Sequence, residues 1–251
     1  MKTIYSIFLL VAAVSVLALS TPLSAAEMDD RIESAAKNSY VFRNYLKDSD
    51  IKIQSKAGAV TLTGTVTEES HKALAGETVA ALPGVTSVDN NLAVKGEQPA
   101  ETSDAWLMAK IKTTLLFHNS VSGLHTEVDV KEGIVTLRGE AKSHAQKELT
   151  TEYTADIEGV RAVNNEMTVK KTSEEPRTLG DKIDDASITA LVKLTLLYHR
   201  STSALNTSVT TKDGVVTLSG KAGNTAELDL ATKLANDVKG VKSVNNLMTV
   251  Q

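Results

Sequence analysis

The chain is predicted to be α+β, a small αββαβ domain written three times, and three observations predict it. The phrases KAGAVTLTGT (56–65), KEGIVTLRGE (131–140) and KDGVVTLSGK (212–221) are versions of one another. Residues 28–95, 103–170 and 184–251 align without a gap, and the last two copies share nearly half their positions. Each copy alternates helical periodicity with period-two stretches. Repeats of this length exceed the ~20–45 residues of a solenoid unit that cannot stand alone. Each copy is therefore expected to be its own bead.

The first element of each copy is a helix, expected over 104–119 and 185–200. Leu107, Ile111 and Leu115 recur every fourth residue, as do Ile188, Val192 and Leu196, and Ile32, Ala36 and Tyr40 in copy one. Asp104 and Asp185 near its start are read as charges that favour the helix dipole. A hairpin follows, with strands at 126–130 and 133–138. Copy three carries Asp213-Gly214 at the junction, the strongest short-range hairpin signal. Val135 and Leu137 alternate with Thr136 and Arg138, so one face packs and the other is wet. Gly64, Gly139 and Gly220 end the second strand, where a positive φ or a close backbone approach is needed. A glycine-cradled phosphate would need a GxGxxG or GK[ST] context that the sequence lacks.

The second helix opens on capping boxes, Ser143-x-x-Gln146 and Asn224-x-x-Glu227. Ala145, Leu149, Tyr153 and Ile157 form its expected apolar stripe, with Ala226, Leu230, Leu234 and Val238 in copy three. Copy one lacks the box and keeps Leu74 and Leu82. Gly84, Gly159 and Gly240 stop the helix, where a left-handed residue is wanted. Val85, Val160 and Val241 then begin a last strand. Reached by a helical crossover, that strand should run parallel to one hairpin strand. Domains this small sit near the lower limit of self-sufficient cores. Packing between beads is expected, with copies two and three as the pair.

The organisation follows: a leader at 1–26, domains at 28–95, 103–170 and 184–251, and linkers at 96–102 and 171–183. The leader has Lys2, an apolar run from Ile4 to Leu19 broken by Ser6 and Ser15, and Ser24-Ala25-Ala26 as the site for cleavage before Glu27. Its apolar run is shorter than the ~20 residues a spanning helix needs. The chain has no cysteine, which excludes disulfides, a lipoprotein anchor, thiol catalysis and cysteine zinc sites. Export without cysteine points to the periplasm. Loss of Lys2 takes the formal net charge from −4 to −5. With no basic stripe, nucleic acid is not an expected partner. Aromatics make up 4% of the chain, so the cores must be aliphatic.

The motifs resemble the BON domain (bacterial OsmY and nodulation). They read GIVTLRG at 133–139 and GVRAVNN at 159–165, with equivalents at 214–220 and 240–246, and at 58–64 and 84–90. The resemblance covers nearly all of the chain after the leader. It marks Gly58, Gly64, Gly84, Gly133, Gly139, Gly159, Gly214, Gly220 and Gly240 as bearing the fold. OsmY-like members typically carry two such domains, whereas this chain carries three, and copy one has Asp89 in place of Asn164 and Asn245. The resemblance implies a noncatalytic envelope protein of osmotic or envelope stress, without cofactor.

Residues for chemistry are few. Of the five histidines (His71, His118, His125, His144, His199), only His118 and His199 are equivalent, and copy one has Arg43 there. They are read as polar ends of the first helix, and no metal or catalytic set is expected. Three functions of different class stand: docking on phospholipid surfaces, holding unfolded outer-membrane proteins, and sensing a monovalent cation or osmolyte. Trp106 and Met108 lie off the Leu107–Ile111–Leu115 stripe beside Lys110 and Lys112. They are the candidate membrane or partner contact. Filling the joint between beads is the other reading of Trp106. Oligomeric state is left open.

Overall fold

The computed structural model describes residues 25–95, 103–121, 126–170, 182–202 and 207–250. Most of the leader, the linker at 96–102 and residues 171–181 of the second linker lie outside the described residues. Domain 1 runs α1 (Ala25–Asn38), α2 (Tyr40–Asn44), β1 (Asp50–Lys56), β2 (Ala59–Val66), α3 (Glu69–Ala80) and β3 (Ser87–Val94). Domain 2 runs α4 (Asp104–Phe117), β4 (Thr126–Lys131), β5 (Ile134–Ala141), α5 (His144–Ala155), β6 (Ala162–Asn165) and β7 (Thr168–Val169). Domain 3 repeats it as α6 (Asp185–Tyr198), β8 (Thr207–Lys212), β9 (Val215–Ala222), α7 (Thr225–Asn236), β10 (Ser243–Asn246) and β11 (Thr249–Val250).

In each domain the hairpin strands are antiparallel and the last strand runs parallel to the second. The hairpin turns have positive φ at both central residues, Ala57-Gly58, Glu132-Gly133 and Asp213-Gly214. Two positive values match the right-handed twist of the strands. All nine motif glycines have positive φ. At Gly64 a Cβ would also stand 1.9 Å from the Asp50 carbonyl oxygen, so the crossing of β1 and β2 leaves no room for a side chain there.

An asparagine ties the second helix to the last strand. Asn165 Nδ2 donates to the Lys147 carbonyl (2.9 Å) and Thr151 Oγ1 (2.7 Å), and its Oδ1 accepts from Met167 N (3.0 Å). Asn246 repeats this on Leu228 and Thr232. This side chain takes the amide two residues on, where the last strand is divided into β6 and β7, and into β10 and β11. In copy one Asn90 keeps its bonds to the Lys72 carbonyl (2.8 Å) and from Leu92 N (3.4 Å), but Gly76 replaces the threonine and β3 runs unbroken. The Asp89 substitution falls on the exposed face and leaves the asparagine tie intact.

The second helix packs its expected stripe except at the first residue: Leu149, Tyr153 and Ile157, and Leu230, Leu234 and Val238, lie in or against the cores, while Ala145 and Ala226 are exposed. Its buried residues are Thr150 and Thr154 in α5, and Ala231, Leu234 and Ala235 in α7. The threonines satisfy their hydroxyls on helix carbonyls four residues back, at 2.8 and 2.7 Å, so they pack as small apolar residues. The beads are not the separate cores that the repeats predict. Domains 1 and 3 share one continuous cluster, running from Ile32, Leu74 and Val79 to Leu191, Leu194 and Leu218, with Phe117 inserted from domain 2. Domain 2 keeps its own cluster around Leu107, Ile111, Val135 and Leu137. The expected pair was copies two and three. Copies one and three are the fused pair, because α6 buries Ala186 to Val192 without a break and needs apolar cover on more than its own sheet.

Candidate functional site

The helix ends of domains 2 and 3 meet in a joint with local two-fold symmetry. α4 and α6 end at His118 and His199, whose extended backbones break the helices. Each then pairs antiparallel with the other domain, His118 with Val238 and His199 with Ile157. Asn119 N donates to the Asp237 carbonyl (2.8 Å) and Lys239 N to the Phe117 carbonyl (2.9 Å). In the opposite seam Arg200 N donates to the Asp156 carbonyl (2.9 Å). Residues 118 and 199, 156 and 237, and 157 and 238 are equivalent positions of the two copies, so the contact is isologous. Copy one carries exposed Arg43 there and has no such seam.

Both histidines are buried, at 0% and 8% exposure. His118 stacks on Tyr153 at 4.1 Å, and its Nδ1 lies 3.2 Å from Asp237 Oδ2 without the alignment of a hydrogen bond. Asp237 accepts instead from Tyr153 Oη (2.7 Å) and from Ser120 Oγ. Burial works to raise the Asp237 carboxyl, but its contacts with His118, Ser120 and Tyr153 outweigh this and hold it below its ordinary value. Across the two-fold, His199 Nε2 lies 3.3 Å from Asp156 Oδ2. Burial pushes the His199 imidazolium down, against the pull of Asp156. Leu234 replaces Tyr153 on this side, which makes the joint asymmetric. The rings border a cavity of about 10 Å³ together with Thr114, Thr195 and Ile157.

Sequence reading took the two histidines as mere helix-end polar groups. The signal it passed over was the pairing: His118 and His199 go with Asp156 and Asp237 in copies two and three alone. That pattern belongs to a joint rather than to a domain.

The candidate surface residues sit beside this joint. Lys110 is buried, with Nζ 4.8 Å from the Trp106 ring centroid and 5.3 Å from that of Tyr198 in domain 3. A lysine held between two rings faces neither water nor a bilayer, so Lys110 leaves the set of surface contacts. Burial lowers its ammonium and pushes the Tyr198 hydroxyl up to about 12. Trp106 and Met108 are half-buried against the domain 2 core, and Lys112 is exposed.

Other joints follow the same logic. Asp184 caps two helices at once, accepting from Ser187 N (2.9 Å) in its own α6 and from Tyr40 N (2.7 Å) at the start of α2. Tyr40, Tyr45 and Phe117 make a chain of edge-on rings from domain 1 into domain 2, at 5.9 and 5.7 Å. These three rings therefore serve the joints, while the cores are mainly aliphatic, with Phe42 and Phe117 among their side chains.

Asp104 and Asp185 stand in the first turn of their helices, as expected, just after the caps Ser103 and Asp184. They have a second role: Asp104 clamps the hairpin turn, accepting from Glu132 N (2.6 Å) and Gly133 N (2.9 Å), and Asp185 does the same at Asp213 and Gly214. Asp29 repeats it at Ala57 and Gly58. The Gly133 and Glu132 amides hold the Asp104 carboxyl below its ordinary value, and Ser55 with the Gly58 amide does so for Asp29.

Two of the open grooves lie at domain boundaries. One of about 680 Å³ lies where the domains meet, lined by Tyr40, Asn119, Asp184, Lys239 and Lys242 among others. The second, about 280 Å³, lies between α3 and domain 3. Among the described residues, no group of three or more histidines or carboxylates converges as a metal site, and no helix is long and apolar enough to cross a membrane.

Such a molecule is a tandem α+β repeat protein whose distinctive chemistry lies in its joints. The BON domain model matches residues 28–96, 103–171 and 184–251, and the chain belongs to the BON domain family. It is 32% identical to the osmotically-inducible protein Y of Escherichia coli over 57% of this chain and 70% of that one. It is 33% identical to a 21 kDa hemolysin of Actinobacillus pleuropneumoniae over 45% of this chain and 55% of the relative. CdsD, a structural protein of the type III secretion system of Chlamydia trachomatis, aligns over 88% of this chain and 90% of its own at 17% identity and a TM-score of 0.25.

Proposed function

We propose that the chain is a noncatalytic periplasmic protein of the osmotic and envelope stress response that holds unfolded envelope proteins. Its similarity to an osmotically-inducible protein supports the stress setting, and the leader motif supports export. The observation that carries the holder reading is the groove between domains 1 and 3. Leu194, Leu196 and Val209 floor it, the Lys193–Glu77 pair edges it, and Leu197 stands 48% exposed at its lip. An apolar groove with a charged rim suits an extended apolar segment of a client. The mature chain is expected to suppress aggregation of a urea-unfolded porin on dilution, and Leu197→Glu to lose most of that effect. Equal protection by the variant would remove the groove from the account.

A second reading, docking on phospholipid surfaces, rests on half-buried Trp106 and Met108 beside exposed Lys112. Flotation with anionic vesicles that is lost in Trp106→Ala would favour it over the holder.

A further inference from the structure

The joint between domains 2 and 3 holds two buried histidines that neither functional reading uses. His118 has no aligned partner at Nδ1 or Nε2, and Thr195 Oγ1 beside it has none. The cavity they border is about one water in size, so solvent has almost no room to screen a new charge.

We propose that this joint is an acid-sensitive latch: protonation of His199 loosens the two antiparallel seams by which domain 2 is held to domain 3.

The charges around the rings argue for release rather than tightening. From the end of α7, Asp237 faces His118, but Tyr153 and Ser120 already occupy its carboxylate. Lys239 from the same segment places its ammonium on the Leu116 carbonyl, 2.7 Å away. From α5, Tyr153 stacks on His118, and Asp156 faces His199. The Asp156 side chain is 49% exposed, so solvent screens its attraction. At the end of α6, Arg200 grips the carbonyls of Ile157 and Val160 at 3.2 Å and adds positive charge beside His199. Two turns before His118 on α4 lies Lys110, with Glu158 acting on it as a countercharge. With both rings neutral, two aspartates balance Lys239 and Arg200. Protonation of His199 adds a cation beside Arg200.

The sign follows for His199. Burial depresses its folded value, so the unfolded or released ring binds the proton more readily. The joint's contribution is complete above the free histidine value of about 6.5 and is lost as pH falls below it. The shared core of domains 1 and 3 is built of apolar side chains, and the histidine of α3, His71, lies against Thr67 Oγ1 (2.8 Å) away from the seams.

Trp106, the sole tryptophan, reports the event because Lys110 links it to Tyr198 across the joint. Between pH 7.5 and 5.0 the full mature chain is expected to show a red shift of Trp106 emission. Amide exchange at 117–119 and 237–239 should rise at least tenfold, with no matching change in α3 or β9. His118→Gln with His199→Gln should abolish the pH dependence. Should that double variant fail to fold by circular dichroism, Asp156→Asn serves instead: removing the carboxylate that favours protonated His199 should move the midpoint to higher pH. A wild-type chain that stays closed at pH 5.0 overturns the proposal whatever the variants do. So does an unchanged acid transition in the double glutamine variant or in Asp156→Asn.

Discussion

Domain 3 meets its two neighbours in opposite ways. Against domain 1 it buries α6 among aliphatic side chains, with Ala190, Leu191 and Val192 all at 0% exposure in one shared cluster. Against domain 2 it uses two short antiparallel seams, a pair of histidines and a Tyr153–Asp237 bond, around the single buried ring of Phe117. Apolar burial is non-directional and insensitive to pH, whereas buried polar joints depend on every partner being in place. The same repeated domain therefore forms one fixed joint and one that conditions can alter. The difference traces to few residues: copy one has Arg43 where copies two and three have histidine.

The most damaging way to break the comparison is Leu191→Ala. Emptying that site should cost about 2–5 kcal/mol, as for other buried leucines. Domains 1 and 3 should lose stability together while domain 2 is less affected, which segment-resolved chemical denaturation would check. Tyr153→Phe comes next. It removes one hydrogen bond to a charged acceptor, worth about 1.5–3 kcal/mol, and should loosen the domain 2 joint without moving the midpoint of domain 1.

A smaller effect is expected from Asp104→Asn at the hairpin clamp. The Asp104 carboxyl lies below its ordinary value, so its contribution is present above about pH 4 and lost as pH falls through the folded value. The wild-type chain should lose more melting temperature than the variant between pH 5 and pH 2.5. The smallest change is Glu77→Gln. It removes the Lys193 pair at 2.7 Å, both side chains a third or more exposed, and should shift stability by less than about 1 kcal/mol. A larger loss would mean that the joint of domains 1 and 3 is ionic rather than apolar.

Much of the domain was legible because its determinants are local. The Asp213-Gly214 turn, the Ser143 and Asn224 caps and the glycine stops act within a few residues, and repetition shows each of them again. The α6 stripe was legible too, but not its second face. Ala186 to Val192 are all buried, and periodicity cannot say what covers a helix that is apolar all round. The assignment of copy one to copy three depends on that cover. It also depends on Asp184 reaching Tyr40 N, a contact between residues far apart in sequence that leaves no local trace. The candidate surface at Trp106 failed in part for a similar reason. A lysine at the helical spacing of Lys110 reads as wet, and its burial requires Tyr198 from another domain. The histidine latch was half visible, as a matched pair whose partner aspartates were not weighed with it.

Native-state hydrogen exchange against denaturant on the full mature chain is the most direct test of this unequal assembly. Amides of α3 and β2 should open with the same free energy and denaturant dependence as those of α6 and β9, with β5 opening as a separate unit. Independent opening of α3 and α6, or β5 moving in step with both, would contradict a fused first and third domain carrying the second on a latch.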